Sequence, residues 1–283
     1  MPIAIAHLGP TGTYSETAAL NYAQSWQKQH QQDFELHPYS TIAQTLQAIA
    51  NQQADIAVVP VENSIEGSVT MTLDTLWQLD QLQIQQAVVL PIVHTLVSIA
   101  PNLEAIQTVY SHPQALAQCQ TWLRINLPTA ELIPTNSTTE ALQHLSQHPT
   151  TAAISSERAA KLYDLPMLAR SINDHPDNCT RFWILGADLS SEGQHSSLAF
   201  SLLANQPGAL VKALQIFAAR NINLSRIESR PTKRSLGDYL FFIDIEANMK
   251  DMAVQSALLE LQDYTEKLKC FGSYNLVSIA PSA

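Results

Sequence analysis

The sequence has few cysteines and few basic residues, and both shortages exclude classes of function. Its three cysteines are far apart with no CxxC pair, which argues against a disulfide framework or a zinc site and favours a reducing cytoplasm. Fifteen Lys and Arg stand against 25 Asp and Glu, a net charge of −10. General attraction to nucleic acid or to an anionic membrane surface is therefore not expected, and any anion has to be bound locally.

Long apolar runs and targeting signals are also missing. The longest apolar stretch, AVVLPIVHTLVSIA from Ala87, is too short to span a bilayer and contains Pro91 and His94. The N-terminus, MPIAIAHLGPTG, has no basic region followed by an apolar run, and its pattern is typical of a first strand. The sequence thus predicts a cytoplasmic protein with neither export nor a membrane span.

The common cofactor motifs are absent as well. The sequence has no P-loop, no HExxH and no dinucleotide fingerprint, and no spacing marks a Ser-His-Asp triad. We therefore expect no cofactor and no metal. The polar residues that remain describe a site of hydroxyls, amides, one arginine and one acid for a small anion.

What is present is a pattern of alternating strands and helices. From Ile3 to about Ala169, short apolar runs alternate with segments of helical period, which predicts α/β architecture in two lobes. The run IQQAVVLPIVHTLVS is predicted as the crossing strand, and NCTRFWILG as the return, with its polar end in the cleft. We expect a first domain over 1–188, with lobe one about 1–82 plus a return strand about 180–188, and lobe two about 83–179.

A second domain is predicted after a linker. GADLSSEGQHSS, from Gly186 to Ser197, is rich in Gly and Ser and lacks periodicity. The elements that follow are strand, helix, strand, strand, helix from about Asp251 to Leu268, and strand, which is the ferredoxin-like order. We place this α+β domain at 196–283.

Polar residues follow several strands of the first domain. After the first strand, Thr13, Tyr14 and Ser15 offer hydroxyls and N–H groups at a helix N-terminus, where anions are favoured. VENSIEGS makes a second such junction, at Glu62 to Ser68. Taken alone, the first junction is more typical of a capped helix after a glycine turn, but in open α/β folds the groups beyond the carboxyl ends of strands line the ligand crevice.

Two further junctions add a histidine and an arginine. SHPQA supplies Ser111, His112 and Gln114, and NCTRF supplies the Thr180 hydroxyl and the Arg181 fork, which matches a carboxylate. A lone His112 is more often a local cap, and a lone Arg181 a surface ion-pair residue. The four junctions together favour a binding cleft.

Six segments, in order, closely resemble the signatures of the prephenate dehydratase family: GPTGTYSETAA, VPVENSIEGSV, SHPQALAQC and NCTRFWILG, then GALVKAL and INLSRIESRPTK of an ACT domain. The resemblance covers nearly the whole chain and, with no chorismate mutase segment ahead of Gly9, is to the monofunctional form. It implies a two-lobed catalytic domain similar to type II periplasmic binding proteins. It also implies a hydro-lyase reaction, loss of CO₂ and water from prephenate to give phenylpyruvate in L-phenylalanine biosynthesis, without metal or cofactor.

The resemblance also implies roles for the site residues. Thr180 is expected to donate a hydrogen bond or a proton to the departing hydroxyl, with Glu62 or His112 as polarising neighbour, and which group is the acid stays open. Arg181 and the N–H groups near Thr13 and Asn63 are expected to hold carboxylates. The expected catalytic residues are Thr180, Glu62, Asn63, Ser64 and His112; the expected substrate-binding residues are Thr13, Tyr14, Ser15, Ser111, Gln114, Arg181 and Phe182.

For the C-terminal domain the resemblance implies a site for L-phenylalanine as allosteric inhibitor, in a homodimer or homotetramer. The expected residues are Gly208, Ala209, Leu210, Asn223, Leu224, Glu228, Ser229, Arg230 and Pro231. The alternative is that GAL is merely a helix start and Arg230 a solvent-facing charge.

Three other functions compete with this interpretation. Arogenate dehydratase performs the same chemistry on an aminated substrate, and Cys179 beside Thr180 is the position we suspect of discriminating. A non-catalytic amino-acid-binding regulator on the same fold would not need a leaving-group donor, so the Thr-Arg-Phe segment argues against it. A secreted solute-binding protein is disfavoured because the N-terminus has no signal-peptide pattern.

Overall fold

The first lobe is an α/β unit built around a twisted sheet. The structure, a computed structural model, describes residues 1–147 and 149–280. Threonine side chains begin two of the helices: Thr13 accepts from the Glu16 N–H at 3.3 Å, and Thr41 accepts from the Gln44 N–H at 3.1 Å. The elements are β1 Ile3–Leu8, α1 Tyr14–His30, β2 Phe34–Tyr39, α2 Ile42–Ala50, β3 Ile56–Asn63, β4 Gly67–Ser68, α3 Thr70–Gln78 and β5 Gln83–Pro91.

The second lobe has its own sheet, in the order β10-β6-β9-β7-β8. Pro113 lies in the first turn of a helix, where its fixed φ is favourable, and the Ser137 hydroxyl accepts from the Glu140 N–H at 3.0 Å. The elements are β6 His94–Val97, β7 Thr108–Ser111, α4 Pro113–Gln118, α5 Gln120–Asn126, β8 Glu131–Pro134, β9 Thr151–Ser156, α6 Glu157–Leu162 and β10 Met167–Ala169, with 3₁₀ turns at Leu103–Ala105 and Glu140–Gln147.

The chain returns to the first sheet through β11, Cys179–Gly186, which runs antiparallel between β3 and β5. The run predicted as one crossing strand is two strands, because β5 lies in the large sheet and β6 in the small one. The crossing therefore falls at residues 92–93, later than the expected lobe limit near residue 83. The domain limits as a whole stay a prediction.

The C-terminal unit has the predicted ferredoxin-like order of elements. They are β12 His195–Leu202, α7 Ala209–Ala218, β13 Leu224–Pro231, β14 Tyr239–Ile245, α8 Met252–Gln262 and β15 Thr265–Ser278. The second helix ends at Gln262, short of the expected Leu268, because β15 already pairs with β12 from Thr265 onward. Strand pairing overrides the helical preference of the segment EKLK there.

The last strand joins the C-terminal unit to the first lobe. Its first part pairs with β12, and Asn275 to Ser278 pair in parallel with β5. Within the first part, where the register with β12 shifts, Gly272 has φ +95°, and a Cβ at this position would lie 2.8 Å from the Ser190 carbonyl oxygen, so this position requires glycine. Trp183 of β11 and Phe242 of β14 share one buried core cluster, so the C-terminal unit packs directly on lobe one.

The helices are short compared with the roughly 20 residues that a membrane span needs. The first helix, α1, has 17 residues and carries charged side chains at both ends. Within the residues described, no helix combines the length and the apolarity that crossing a membrane requires.

Candidate active site

A cavity of about 530 Å³ lies between the two lobes. Lobe one contributes the N-terminus of α1, the turn after β3 and the start of β11, and lobe two contributes the starts of β6 and α4. The size suits a small organic acid, since ligand pockets commonly span about 300 to 1,000 Å³. Eight of the expected site residues line it: Thr13, Tyr14, Ser15, Asn63, His112, Gln114, Thr180 and Phe182.

Asn63 and Thr180 form the central polar pair of the cavity. The register of β3 and β11 places them opposite each other, and the Asn63 amide Nδ2 donates to the Thr180 hydroxyl oxygen at 3.0 Å. The other end of the amide is fixed, because Asn63 Oδ1 accepts from the backbone N–H groups of Ile65 and Glu66, each at 3.0 Å. The Thr180 oxygen therefore acts as acceptor towards Asn63, and its own proton is available to donate elsewhere.

A second set of amides supports this pair from lobe two. Asn63 also donates to Asn178 Oδ1 at 2.8 Å, and Asn178 Nδ2 donates to Gln118 Oε1 at 2.9 Å. His94 Nε2 lies 2.9 Å from the same Gln118 oxygen. Because that oxygen can only accept, the His94 proton is on Nε2. The chain of amides thus links the two lobes across the cavity.

The two histidines of the cavity favour the neutral form. Burial lowers the pKa of His94, and the hydrogen bond to Gln118 opposes this only in part. Burial also lowers the pKa of His112, against the carboxylate of Glu66, which raises it. His112 Nδ1 accepts from the Gln114 N–H at 3.3 Å, so neutral His112 carries its proton on Nε2 and can donate it in a hydrogen bond.

The N-terminus of α1 is occupied by a charge pair of the protein itself. Gly12 adopts φ +90°, and its N–H donates to Glu16 Oε2 at 2.7 Å. Arg158 of lobe two pairs with the same carboxylate at 2.9 Å. Tyr14 donates its hydroxyl to the Val93 carbonyl at 2.7 Å, and burial raises the pKa of this phenol. Both contacts join α1 to lobe two beside the cavity.

Arg181 and Glu62 do not line the cavity, which corrects the predicted roles of both. Side chains alternate along a strand, so Arg181 faces away from the side on which Thr180 and Phe182 lie. Its guanidinium contacts Glu62 Oε2 at 2.5 Å and Asp244 Oδ2 of β14 at 3.1 Å. Arg181 therefore binds carboxylates of the protein, and Glu62 does not reach Thr180 in this arrangement.

Ser64 and Ser111, which were expected in the site, form hydrogen bonds with the backbone. The Ser64 hydroxyl accepts from the Cys179 N–H at 3.0 Å, which closes the end of the β3–β11 pair. Ser111 is fully buried and donates to the Ile154 carbonyl at 2.7 Å. Neither serine lines the cavity. Both hydroxyls instead form hydrogen bonds with backbone groups of neighbouring strands.

Several polar residues of the cavity or its amide chain were not selected from the sequence, among them Glu66, His94, Gln118 and Asn178. A signal for Gln118 existed, since Ala115, Gln118 and Cys119 share one buried helical face, and a polar residue on such a face requires a partner. His94 lay in an apolar run that we interpreted as strand core.

The residues expected to bind an effector lie at the start of α7 and along β13. Gly208 caps α7 with φ +82°. Two of these residues, both on β13, contact lobe one: Glu228 accepts from the Ser68 hydroxyl at 3.0 Å, and Arg230 donates to both Asp74 carboxylate oxygens at 3.0 and 3.1 Å. Arg230 is therefore not simply a solvent-facing charge, and the effector roles stay predictions.

These features define the class of protein. Two α/β lobes with a polar cavity between them, and a ferredoxin-like unit packed on one lobe, are the arrangement of a small-molecule enzyme with a sensing domain. Within the part of the chain that the structure covers, no group of three His, Cys, Asp or Glu is placed to hold a metal ion.

The chain belongs to the prephenate dehydratase family. The family model described as prephenate dehydratase matches residues 5–190, and the ACT domain model matches residues 196–261. The prephenate dehydratase of Lactococcus lactis subsp. lactis is 38% identical over 97% of this chain and 98% of its own. The predicted fold class, a periplasmic-binding-protein-like catalytic domain with an ACT domain, is confirmed.

Solved structures agree on the fold. The prephenate dehydratase of Arthrobacter aurescens, solved in complex with L-Phe, has a TM-score of 0.87 at 34% identity and covers 96% of this chain and 90% of its own. A structure named as a quorum quenching acylase has a TM-score of 0.77 at 27% identity, over 96% and 97% of the two chains. Because fold alone does not fix the reaction, the function has to be argued from the site.

Proposed function

We propose that the chain catalyses the decarboxylating dehydration of prephenate to phenylpyruvate and is inhibited by L-phenylalanine. The observation that carries the proposal is the Asn63–Thr180 pair, a hydroxyl whose oxygen is held by an amide and whose proton is free to donate, at the wall of a cavity of suitable size. The family match over the same segments supports it.

The reaction needs little from the protein beyond placement. The carboxylate on the ring leaves as CO₂, its bonding electrons enter the ring, and the ring hydroxyl leaves as water after taking one proton. Aromatisation drives the step, so the catalyst has to orient a dicarboxylate, exclude water and donate to the departing hydroxyl. Thr180 performs the donation, and Asn63 fixes its hydroxyl.

The proton requires a partner for Thr180, because an aliphatic hydroxyl is a poor acid. Of the two neighbours considered from the sequence, His112 lines the cavity and Glu62 does not. His112 is beside Glu66, whose carboxylate raises the pKa against the larger effect of burial. We assign Thr180 the delivery of the proton and His112 its supply: the imidazolium form of His112 gives up one proton and becomes the neutral imidazole that burial favours.

Substrate carboxylates are held by neutral donors rather than by Arg181. The cavity wall offers the Ser15 and Ser137 hydroxyls, the Gln114 amide and backbone N–H groups at helix starts. Preorganised neutral donors of this kind stabilise charge most strongly where water is excluded. The two lobes can exclude water if they close on the substrate.

Regulation is assigned to the ACT domain. Its match to residues 196–261 and the L-Phe held by the Arthrobacter relative support a phenylalanine site built from the start of α7 and from β13. We propose that the protein acts in the cytoplasm as a homodimer or homotetramer through this domain. Light scattering that shows a concentration-independent monomer, with and without L-phenylalanine, contradicts the assembly.

The experiment is a product assay with purified protein. Phenylpyruvate formation from prephenate is followed at neutral pH in the presence of a chelator, with and without L-phenylalanine, and Thr180→Val serves as the matched inactive control. Turnover that needs Thr180 and falls with L-phenylalanine supports both parts of the proposal. Turnover of arogenate alone would identify the rival substrate, and turnover of neither would overturn the catalytic assignment.

A further inference from the structure

A buried charge cluster lies on the face of the sheet opposite the cavity. Arg181 of β11 pairs with Asp244 of β14 at 3.1 Å, and Arg226 of β13 lies 3.6 Å from the same carboxylate oxygen. The side chains of Asp244 and Arg226 are only 2% and 5% exposed. A strand of the catalytic domain and two strands of the ACT domain thus meet at a single carboxylate.

The cluster is adjacent to the catalytic pair. Thr180 is opposite Asn63, and Arg181 is opposite Glu62, in consecutive positions of the same two strands. Glu62 pairs with Arg181 on the outer face, while Asn63 bonds Thr180 on the cavity face. A displacement of Arg181 therefore moves the backbone that carries Thr180.

A second contact reaches the same turn from the ACT domain. Arg226 donates to the Ser68 hydroxyl at 3.1 Å, and Ser68 donates to Glu228 at 3.0 Å. Ser68 lines the cavity and is paired with Glu62 across β3 and β4. Side chains of β13 therefore contact the turn that follows Asn63, and a side chain of β14 contacts the strand that carries Thr180.

The energy of the cluster is also sensitive to small displacements of its side chains. Its charges are paired, yet the Nε atoms of Arg181 and Arg226 have no hydrogen-bond partner in the described part of the chain. Asp244 is oriented by the Ser197 hydroxyl, which donates to its Oδ1 at 2.6 Å. In a dry, partly satisfied network, small shifts change the energy of several charges together.

We infer that Arg181 is a positioning residue that ties Thr180 to Asp244 of the ACT domain, so that the seating of this domain sets the placement of the catalytic hydroxyl. The inference rests on the proposed function. It gives the effector a physical route, because β13, which carries several of the expected effector residues, is paired with β14 and bears Arg226 opposite Asp244. An effector that shifts β13 changes the cluster first and Thr180 next.

The test compares Asp244→Asn with Asp80→Asn. Both substitutions remove a carboxylate at the same domain junction, but Asp80 pairs with Lys269 and is 74% exposed, away from Arg181. For each variant, kcat and KM for prephenate, the fold inhibition by saturating L-phenylalanine, and L-phenylalanine binding by calorimetry are measured. Circular dichroism checks the fold.

We expect Asp244→Asn to lower kcat by about 10- to 100-fold with KM within about 3-fold, as a misplaced catalytic group does. Inhibition by L-phenylalanine should become several-fold weaker although binding persists, and Asp80→Asn should behave like the wild type. A merely structural Asp244 would lower the melting temperature and leave the kcat of folded protein and its response to L-phenylalanine unchanged, which would overturn the inference.

If Asp244→Asn does not fold, Ser197→Ala decides, because it keeps the carboxylate and removes the hydrogen bond that orients it, together with the contact to the Tyr274 hydroxyl at 2.7 Å. The same changes, smaller in size, support the inference, and wild-type kinetics overturn it. An active wild type with unaffected variants overturns this inference alone. A wild type that turns over neither prephenate nor arogenate overturns the proposed function, and the inference falls with it.

Discussion

The side-chain amide of Asn63 donates to the Thr180 hydroxyl oxygen at 3.0 Å, from a strand that runs antiparallel to that of Thr180. Because Asn63 Oδ1 is held by two backbone N–H groups, the amide cannot turn over without losing both hydrogen bonds. The hydroxyl is thereby presented as a donor before substrate arrives, and this is the preorganisation on which catalysis by orientation depends.

The first prediction concerns that hydroxyl. Thr180→Val keeps the shape of the side chain but removes the donor, so kcat for prephenate should fall by about 100-fold or more while KM changes little. Thr180→Ser, which keeps the hydroxyl, is the matched control and should retain most of the activity. Steady-state kinetics with a folded variant measure both, and an unchanged kcat for Thr180→Val would remove Thr180 from the mechanism.

The placement of this pair shows which parts of the site could be predicted from the sequence. Polar residues after apolar runs, together with the family resemblance, predicted the cavity face of Asn63 and Thr180. The same two-residue period contained the information that Arg181 faces away from Thr180, yet an arginine beside a candidate site is easily assigned to a substrate carboxylate. One of its two carboxylate partners, Asp244, is 63 residues later, and only the packing of the ACT domain on lobe one brings the two together.

The amide chain could not be predicted from the local sequence pattern for a similar reason. Asn178, Gln118 and His94 come from three separate segments, and Gln118 Oε1 is the acceptor that the other two share. The end of α8 differed from expectation because the pairing of β15 with β12 is a tertiary effect. Element type and order depend on local periodicity, which the sequence shows, whereas partners across lobes depend on the assembled fold.

The second prediction is a loss of stability on mild acidification. Burial lowers the pKa of His7, His94 and His112 below the ordinary value of 6.5. As pH falls below 6.5, the unfolded chain binds protons that the folded chain does not yet accept. Each such histidine then costs up to about 1.4 kcal/mol of unfolding free energy per pH unit, until the folded pKa is reached.

Urea unfolding at pH 7.5 and pH 5.5 measures this loss. His94→Gln should reduce the difference between the two pH values, because its unfolded state no longer gains a proton at that position. His30→Gln, at an exposed position of α1, is the control for the loss of an exposed histidine. A pH difference that is the same in His94→Gln as in wild type would contradict the assignment of a neutral buried His94.

The third prediction concerns the contact between Arg230 and Asp74. Asp74 binds Arg230 through both oxygens and also pairs with Lys233 at 2.7 Å. If Arg230 takes part in effector binding, the effector has to compete with this carboxylate. Asp74→Asn should then lower the L-phenylalanine concentration for half-maximal inhibition several-fold, since a competing arrangement is weakened.

Inhibition curves for Asp74→Asn and for the control Asp80→Asn, which keeps the Arg230 contact, decide the matter. An unchanged or raised half-maximal concentration would mean that Arg230 does not have to leave Asp74.

The same contact makes the stability of the protein depend on pH. Burial raises the pKa of Asp74, but the hydrogen bonds and charges of Arg230 and Lys233 together outweigh burial and lower it. The stability it contributes is present above pH 3.8 and is lost as pH falls through the lowered pKa.

The fourth prediction concerns Trp183, which is fully buried on β11. Its core cluster includes Leu46 of lobe one as well as Phe242 and Phe271 of the C-terminal unit, so Trp183 belongs to a core that spans both domains. Trp183→Ala leaves a large cavity and should reduce the free energy of unfolding by about 3 to 5 kcal/mol. Trp26→Ala, at a partly exposed position of α1, should reduce it by less.

Because the cavity opens between the two domains, Trp183→Ala should also weaken inhibition by L-phenylalanine in the protein that remains folded, whereas Trp26→Ala should not. Equal losses of stability in the two variants would contradict a core shared between the domains.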